Sequence, residues 1–267
     1  MNDKFPQSEE AHKQKDRLYH NVVASEYDEV IVKPRRFTND LIFKSYRKYL
    51  KQGKMHRALD LGCGTGHMTL RFDRYFDSVD AVDSSEAMLA QAKNNLANSS
   101  AVINFIRSDF VDFLSDVHES QYDAVFCTGF LHHLKSEELS WLLSELHRVL
   151  HNGGFVLISE PIKISDETPS EIAEWNAKAQ SNLRPYSPEV HALGNEHLDT
   201  DEEPLDRDWF VGLLRDAGFQ PEKQTQSWEI YPQDTSYLRN YLSIRRMFNR
   251  SLGTGNVFTV LAYKNQS

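Results

Sequence analysis

The chain has 267 residues, which allows one large α/β domain or two small ones. Its formal net charge of −9 argues against a general affinity for nucleic acid, because that affinity depends mainly on neutralising phosphates. The two cysteines, Cys63 and Cys127, have no metal-like spacing and predict reduced thiols in a cytoplasmic protein rather than a disulfide framework. No stretch reaches the roughly 18 apolar residues of a membrane helix, so we expect neither a membrane segment nor a signal peptide.

The predicted secondary structure begins with two helices, at residues 18–31 and 37–50, where apolar residues recur three and four positions apart. Short apolar strands and helices then alternate. In chain order we predict strand 57–61, strand 78–82, helix 84–96, strand 102–106, helix 110–117, strand 123–128, helix 136–150 and strand 155–159. Prolines then interrupt the pattern, which resumes with a helix at 206–217, a strand at 224–230, a helix at 235–249 and a strand at 257–263.

Strands that alternate with helices predict parallel βαβ units in one doubly wound sheet. No internal repeat, low-complexity tract or convincing linker divides the chain, so we expect a single domain over residues 1–267. Ligands of such a sheet bind at the carboxyl ends of its strands, near the switch in strand order. The functional residues are therefore expected at this edge.

Three glycines, Gly62, Gly64 and Gly66, follow the first predicted strand. Glycine lets a backbone take positive φ and approach a ligand closely, and the start of the following helix offers free N–H groups. The spacing G-x-G-x-G differs from the G-x-G-x-x-G of dinucleotide sites, and no Lys-Ser/Thr pair follows as in a P-loop. The loop predicts a nucleotide-like ligand; the alternative is a tight turn without a ligand.

The segment Leu-Asp-Leu-Gly-Cys-Gly-Thr-Gly at residues 59–66 resembles the first motif of the class I S-adenosylmethionine-dependent methyltransferases. The resemblance extends in order through roughly residues 19–160 and the helix end at 213–219. It implies a Rossmann-like methyltransferase fold, with a seven-stranded, mostly parallel sheet, an antiparallel last strand and helical lid insertions. It also implies S-adenosylmethionine as the cofactor.

Acidic residues at two strand ends resemble the adenosine-binding positions of this family. Asp83 ends the second predicted strand beside the glycine loop, where its carboxylate could accept both ribose hydroxyls. By resemblance, Asp109 accepts a hydrogen bond from the adenine amine, Phe110 supplies an N–H and an apolar wall, and Met88 lies against the adenine. The alternative for either Asp alone is a helix N-cap. The other expected cofactor contacts are Cys63, Thr65, Ser84, Ser108 and Cys127.

The methionine end of the cofactor has four expected contacts. The resemblance implies that Asp60 orients the amino group through water. Tyr19, Tyr27 and Arg36 resemble lid positions of small-molecule members, in which an Arg pairs with the cofactor carboxylate. A surface or packing role is the alternative for each of these three.

The fourth predicted strand runs into Leu-His-His-Leu at residues 131–134, which again resembles the family and should face the sulfonium. His132 and His133 are therefore candidates for a general base, and Glu160 at the end of the fifth strand is a third. The alternatives are packing on the adenine, a helix cap or a backbone hydrogen bond. An alcohol acceptor needs proton removal, whereas an amine or carbanion-like acceptor relies mainly on proximity and orientation.

Substrate choice is assigned to segments outside the cofactor-binding core of residues 51–160. These are an N-terminal helical lid, 1–50, and two insertions, 161–205 and 232–253, which follow strand ends on the cofactor side. Their aromatic side chains would enclose an organic acceptor, and an arginine cluster would suit an acidic one. The aromatic residues are Trp175, Tyr186, Trp228, Tyr231, Tyr237 and Tyr241, and the arginines are Arg239, Arg245, Arg246 and Arg250.

The expected function is methyl transfer to a small organic molecule at O, N or C, without a nucleic-acid partner. The alternatives are a methyltransferase acting on protein or RNA and a catalytically silent S-adenosylmethionine-binding protein. No metal is expected, because His191, His197 and Asp199 lie in a proline-punctuated loop without the i, i+4 spacing of helical ligands.

Overall fold

The computed structural model describes residues 7–50, 55–163, 186–195, 204–227 and 257–265. Within these ranges, no helix is both long and apolar enough to cross a membrane. Several sequence predictions fall outside the ranges: helix 235–249 with its arginines, His197, Asp199, Trp175, Trp228, Tyr231, Tyr237 and Tyr241.

The described residues form strands and helices that alternate along the chain. The strands are β1 (Met55–Leu61), β2 (Phe76–Asp83), β3 (Val102–Arg107), β4 (Tyr122–Thr128), β5 (Leu150–Pro161), β6 (Phe219–Ser227) and β7 (Val257–Lys264). The helices are α1 (Gln7–Tyr27), α2 (Lys33–Leu50), α3 (Thr69–Phe72), α4 (Glu86–Asn95), α5 (Phe110–Asp116), α6 (Ser136–Val149), α7 (Pro188–Asn195) and α8 (Arg207–Asp216). A π-helical turn, Asp28–Val32, joins α1 to α2, and 3₁₀ turns lie at Asp73–Tyr75 and Leu131–His133.

These strands lie in one sheet with the order β3-β2-β1-β4-β5-β7-β6. Strands β1 to β5 pair in parallel, whereas β7 is antiparallel to both β5 and β6. The strand order changes direction between β1 and β4, which is where an α/β sheet opens a crevice for ligands. This arrangement confirms the predicted doubly wound sheet with an antiparallel last strand.

Helices cover both faces of the sheet because successive strand residues point to opposite sides. Leu59 and Val125 point to the face covered by α5, α6 and α8. Their neighbours Ala58 and Phe126 point to the face covered by α2 and α3. Phe126 stacks on Phe72 of α3, with ring centroids 3.6 Å apart. The two apolar cores hold the strand ends, and hence the glycine loop, in a fixed position.

The N-terminal helices have different partners. Helix α2 packs on the sheet, where the buried Tyr46 donates its hydroxyl hydrogen to the carbonyl O of Thr259 at 2.6 Å. Helix α1 packs instead on α4 and α7, with Val23 and Met88 buried between them. Helix α1 also begins at Gln7, earlier than predicted, because its first turns lack the apolar periodicity used to predict helices.

Strand β6 begins at Phe219, earlier than the predicted residue 224. Pro221 argues against a central strand because it has no N–H to donate. However, β6 is an edge strand, and its pairing with β7 shifts in register between Pro221 and Lys223. Proline is tolerated at such an edge irregularity, which is why the sequence pattern placed the strand too late.

Helix α6 shows the apolar spacing that predicts a helix on a sheet. Leu139, Leu142, Leu143 and Leu146 recur three and four residues apart, and all are buried against the sheet. The hydrophobic burial of this stripe stabilises the face that carries α5 and α8.

Replacing Leu146 with alanine should lower the free energy of unfolding by about 2–5 kcal/mol, because a buried leucine loses its contacts and leaves a cavity. The matched control is Leu70→Ala, where the leucine is 46% exposed and the expected loss is about 0.5 kcal/mol or less. Urea titrations of both variants measure the difference. Equal losses in the two variants would contradict this assignment of the core.

Candidate active site

The glycine loop lies at the carboxyl end of β1, beside the switch in strand order. Gly62, Gly64 and Gly66 have φ values of 73°, 52° and 77°. Gly62 and Cys63 donate backbone hydrogen bonds to the carbonyl O of Val82, at 2.9 and 3.0 Å. The loop is therefore fastened to the end of β2.

Gly64 and Gly66 need glycine for different reasons beyond their positive φ. A Cβ on Gly66 would lie 2.7 Å from Leu96 Cδ1, so the missing side chain lets the loop pack on the end of α4. A Cβ on Gly64 would meet no atom within 4 Å. The backbone of Gly64 therefore borders open space, where a ligand can approach it closely.

Asp83 ends β2 with both carboxylate oxygens held by backbone groups. Its Oδ2 accepts a hydrogen bond from Gly64 N–H, and its Oδ1 accepts one from Ser85 N–H, each at 2.8 Å. Burial raises the pKa of Asp83, and these two hydrogen bonds and the nearby His20 oppose that rise. The N-cap of α4 is Ser85 rather than Asp83, so the N-cap alternative does not account for this acid.

Asp109 does cap a helix, because its side chain accepts a hydrogen bond from Val111 N–H at 2.8 Å at the start of α5. It also has a cationic neighbour on α1. Lys13 Nζ lies 3.9 Å from Asp109 Oδ1, 3.0 Å from Glu138 Oε1 and 4.6 Å from the centroid of the Phe110 ring. The carboxylate of Asp109 thus faces a positive charge above an aromatic ring.

Asp60 is buried at the end of β1, where Thr69 Oγ1 donates a hydrogen bond to its Oδ2. Its other oxygen, Oδ1, has no hydrogen-bond partner in the part of the chain that the structure describes. Burial raises the pKa of Asp60 to about 7; the Thr69 hydrogen bond opposes the rise and the charge of Asp83 adds to it. A cation or donor near Oδ1 would favour the charged form.

The turn after β4 and the end of β5 bring two candidate catalytic residues, His132 and Glu160, together. Glu160 is 1% exposed; its Oε1 accepts a hydrogen bond from Phe130 N–H at 3.0 Å, and its Oε2 lies 2.8 Å from His132 Nδ1. Both oxygens are therefore occupied by groups of the chain itself. Glu160 fixes the orientation of the His132 ring and of the backbone at Phe130.

His133 faces α1 instead, where its Nδ1 lies 3.4 Å from Asp16 Oδ1. The same oxygen is 3.2 Å from His20 Nδ1. Burial lowers the pKa of His20, but the charge and hydrogen bond of Asp16 outweigh it and raise the pKa to about 9. The donor atoms of Asp16, His20 and His133 lie within 4.8 Å of one another, which is a donor set suited to a metal ion. A metal would have to displace the proton on His20 in order to bind there.

These elements enclose a cavity of about 120 Å³, which we call the main cavity. Many residues predicted from the sequence line it: Tyr27, Gly62, Cys63, Gly64, Thr65, Asp83, Ser84, Met88, Ser108, Asp109, Phe110 and His133. Others do not reach its wall: Tyr19, Arg36, Asp60, Gly66, Cys127, His132 and Glu160.

The predicted residues outside the wall have identifiable positions. Cys127 is fully buried in β4, and burial raises the pKa of its thiol. Tyr19 packs beside Val23 and Met88 between α1 and α4. Arg36 lies in a separate groove with its Nε 3.8 Å from Asp40 Oδ2.

Sequence reasoning predicted an N-terminal lid with Tyr19 and Tyr27, but it did not single out four polar residues of α1 that line the main cavity. Lys13, Asp16, Arg17 and His20 all line it. Their positions are three and four residues apart, which places them on one helix face. This polar periodicity was the available signal, but the first helix was predicted from apolar spacing, which begins at residue 18.

His67 is a further residue that the sequence did not single out. It follows the glycine loop directly and lines the main cavity. Burial and the charges of Arg71 and Arg35 lower its pKa to about 3, so its ring is neutral at neutral pH. Two histidines of the cavity wall therefore differ in charge at neutral pH: His67 is neutral and His20 is charged.

Known proteins share this sequence pattern. A family model described as a methyltransferase domain matches residues 58–154. A carboxy-S-adenosyl-L-methionine synthase of Campylobacter concisus is 30% identical over 219 residues, which cover 79% of this chain and 89% of that protein. A glycine/sarcosine N-methyltransferase of Aphanothece halophytica is 28% identical over 187 residues, covering 65% and 69%.

Solved structures share the fold. An S-adenosylmethionine-dependent methyltransferase from Leishmania major superposes with a TM-score of 0.60 at 14% identity, covering 95% of this chain and 83% of that one. The magnesium protoporphyrin IX methyltransferase of Synechocystis PCC 6803, solved with bound SAH, also gives a TM-score of 0.60, at 16% identity, covering 95% and 100%.

The raised pKa of Asp60 predicts a pH dependence of stability. The carboxyl group titrates near 4 in the unfolded chain and near 7 in the folded one, so between these values the folded state holds a proton that the unfolded state has lost. The Asp60 contribution therefore becomes more destabilising as pH rises from about 4 to about 7. Asp60→Asn cannot ionise, and its stability relative to wild type should rise over this range by on the order of 4 kcal/mol.

Urea unfolding of wild type and Asp60→Asn at several pH values measures this difference. Asp116→Asn, at an exposed position of α5, is the control, and its difference from wild type should stay within about 0.5 kcal/mol at every pH. A difference for Asp60→Asn that does not change with pH would show that Asp60 is not protonated in the folded protein at pH 5–6.

Proposed function

The chain belongs to the class I S-adenosylmethionine-dependent methyltransferases, and we propose that its methyl acceptor is a small organic molecule, methylated at oxygen, nitrogen or carbon. The observation that carries this proposal is that the main cavity is a cleft of about 120 Å³, which α1 covers on the side of His133. A narrow cleft suits a small acceptor better than a folded macromolecule. The acceptors named for the similar glycine/sarcosine N-methyltransferases are also small.

The proposed adenosine contacts come from the ends of β2 and β3. Asp83 uses its remaining acceptor positions for the ribose hydroxyls, since each carboxylate oxygen offers more than one. Asp109 accepts a hydrogen bond from the adenine amine, and Phe110 and Met88 form apolar walls of the cavity around the ring. Ser84, Ser108, Cys63, Thr65 and Tyr27 complete the proposed contact set.

Two features of the chain fit this cofactor. The open space at Gly64 lets the loop backbone approach the ligand without a Cβ in between. The buried Asp60 Oδ1 lacks a partner among the described residues and offers an acceptor for the amino group, through water, beneath the loop. Because that amino group is cationic, we expect its binding to favour the ionised form of Asp60.

Binding of the adenine requires a change at Lys13. The ammonium group lies nearer to Glu138 than to Asp109, at 3.0 against 3.9 Å. Lys13 can therefore leave Asp109 and the face of Phe110 while it keeps its ion pair with Glu138. The side chain then covers the adenine site from α1 without competing for the acceptor oxygen.

When bound, S-adenosylmethionine supplies a methyl group activated by the sulfonium. We assign acceptor contact to His133, since it lines the main cavity, and a positioning role to His132 and Glu160, which pair beside it. For an alcohol acceptor, His133 removes the hydroxyl proton, and the nearby Asp16 stabilises the resulting imidazolium. For an amine acceptor, binding in the cavity itself supplies proximity and orientation.

Asp83→Asn should weaken binding of S-adenosylmethionine at least about 10-fold. The substitution removes a charged acceptor, and each hydrogen bond to a charged group is worth about 1.5–3 kcal/mol. Calorimetric titration with S-adenosylmethionine and with S-adenosylhomocysteine measures the effect, and unfolding curves confirm that the variant is folded. Asp116→Asn is the control and should bind like wild type. Unchanged affinity in Asp83→Asn would contradict the ribose assignment.

The acceptor class is tested by incubating the protein with methyl-labelled S-adenosylmethionine and a cell extract divided into small-molecule, protein and RNA fractions. We expect label in the small-molecule fraction, and less label there with Asp83→Asn when the cofactor concentration is below its dissociation constant. Label confined to the protein or RNA fraction would refute the small acceptor. No label in any fraction, from a protein that binds the cofactor, would favour a silent binder.

A further inference from the structure

A second cavity lies between two parts of the chain. One is helix α2, and the other consists of α3 and the 3₁₀ turn that follows it. Its volume is about 570 Å³, and it adjoins the main cavity at His67, which lines both. We call it the basic groove because most of its charged residues are cations. The cations are Lys33, Arg36, Lys44, Arg47, Arg71 and Arg74, and the anions are Asp28 and Asp40.

Both acids of the basic groove are already engaged. Asp40 Oδ1 accepts hydrogen bonds from Arg71, with nitrogens at 2.8 and 3.0 Å. Asp28 accepts hydrogen bonds from Thr65 Oγ1 at 2.5 Å and from Asn95 Nδ2 at 2.7 Å, which tie it to the glycine loop and α4. Asp40 is paired with Arg71, whereas Asp28 keeps its charge, because its donors are neutral; two acids therefore face six cations in the groove.

Three of the cations have no carboxylate within ion-pair distance in the described parts of the chain: Lys44, Arg47 and Arg74. Arg47 Nε donates a hydrogen bond to the hydroxyl O of Tyr75 at 3.0 Å, which orients the guanidinium without neutralising it. The groove thus concentrates positive charge on a chain whose formal net charge is −9. Such a potential attracts anions.

These cations are exposed, but they do not belong to a single helix face. Arg36, Lys44 and Arg47 lie near one side of α2, because their spacing along the chain places them on the same face of a helix. Arg71 and Arg74 come from a different element and line the same concave space. Cations that converge on one space from two elements repel each other there, and an anion between them relieves that repulsion.

We propose that the basic groove is a binding site for a small phosphorylated ligand, held by Lys44, Arg47 and Arg74. Arginine forks match the geometry of phosphate oxygens, and lysine adds a point charge. The volume of the groove lies in the range of small-molecule sites, which favours a small ligand over a nucleic acid. This site is separate from the proposed methyl acceptor, so it stands or falls independently of the proposed function.

Calorimetric titration of the full chain with inorganic triphosphate tests the proposal. We expect saturable binding of one triphosphate per chain, weakened at least about 10-fold in Arg47→Gln/Arg74→Gln and weakened also in Lys44→Gln. The matched control is Lys93→Gln/Arg215→Gln, which removes two charges from exposed positions outside the groove and should change affinity less than about 2-fold. Unfolding curves verify that each variant is folded.

Three outcomes would overturn the proposal. The first is the absence of saturable triphosphate binding to the wild-type protein. The second is an equal loss of affinity in the control variant, which would show a general charge effect. The third is binding of a single-stranded RNA oligonucleotide or of phosphatidylglycerol vesicles without binding of free triphosphate. Binding of S-adenosylmethionine, measured in parallel, should be the same in wild type and in Arg47→Gln/Arg74→Gln.

Discussion

The carboxylate of Asp83 and the backbone groups that it accepts determine the geometry of the ligand edge. Gly64 N–H from the glycine loop and Ser85 N–H from the start of α4 both point to this side chain. A single half-buried carboxylate thereby joins the ends of β1 and β2 to the helix that follows. Without this acceptor, two backbone donors at the edge of the main cavity would lose their partner, at a cost of about 1–3 kcal/mol each.

Helix α1 completes the site through contacts with the same loop and helix. The Oδ1 atom of Asn21 accepts hydrogen bonds from Ser85 Oγ and Ala87 N–H at 2.8 and 3.2 Å. In the π-helical turn that follows α1, the carboxylate of Asp28 accepts hydrogen bonds from the side chains of Thr65 and Asn95. Helix α1 also packs on α4 and α7 through a small apolar cluster that contains Val23 and Met88, whereas α2 is anchored in a larger apolar core. The helix that covers the main cavity is therefore held by polar contacts together with a small apolar cluster.

The main features of the fold and of the cofactor edge could be predicted because they follow from short-range rules. Parallel strands place Asp83 and Asp109 at one edge once each is recognised at a strand end. Glycine spacing gives the loop, and both acids do line the main cavity. These inferences need no knowledge of how distant segments pack.

The remaining features depend on tertiary packing that periodicity does not encode. Lys13, Asp16 and His20 reach the cavity because α1 crosses α4, and their own sequence is polar. Arg36 was expected at the cofactor because it precedes the core. The π-helical turn and the start of α2 direct it into the basic groove instead. Likewise, the pairing of Glu160 with His132 joins residues from β5 and the turn after β4, which only the sheet order brings together.

The two cavities differ in their balance of charge, and they share one residue. The main cavity is lined by three acids and three cations, namely Asp16, Asp83, Asp109, Lys13, Arg17 and the protonated His20. The basic groove is lined by six cations and two acids. His67 follows the glycine loop and lines both cavities. Because burial and the charges of Arg71 and Arg35 keep its ring neutral at neutral pH, His67 adds no charge to the shared wall. The excess of cations on one side of this wall therefore attracts an anion to the basic groove rather than to the main cavity.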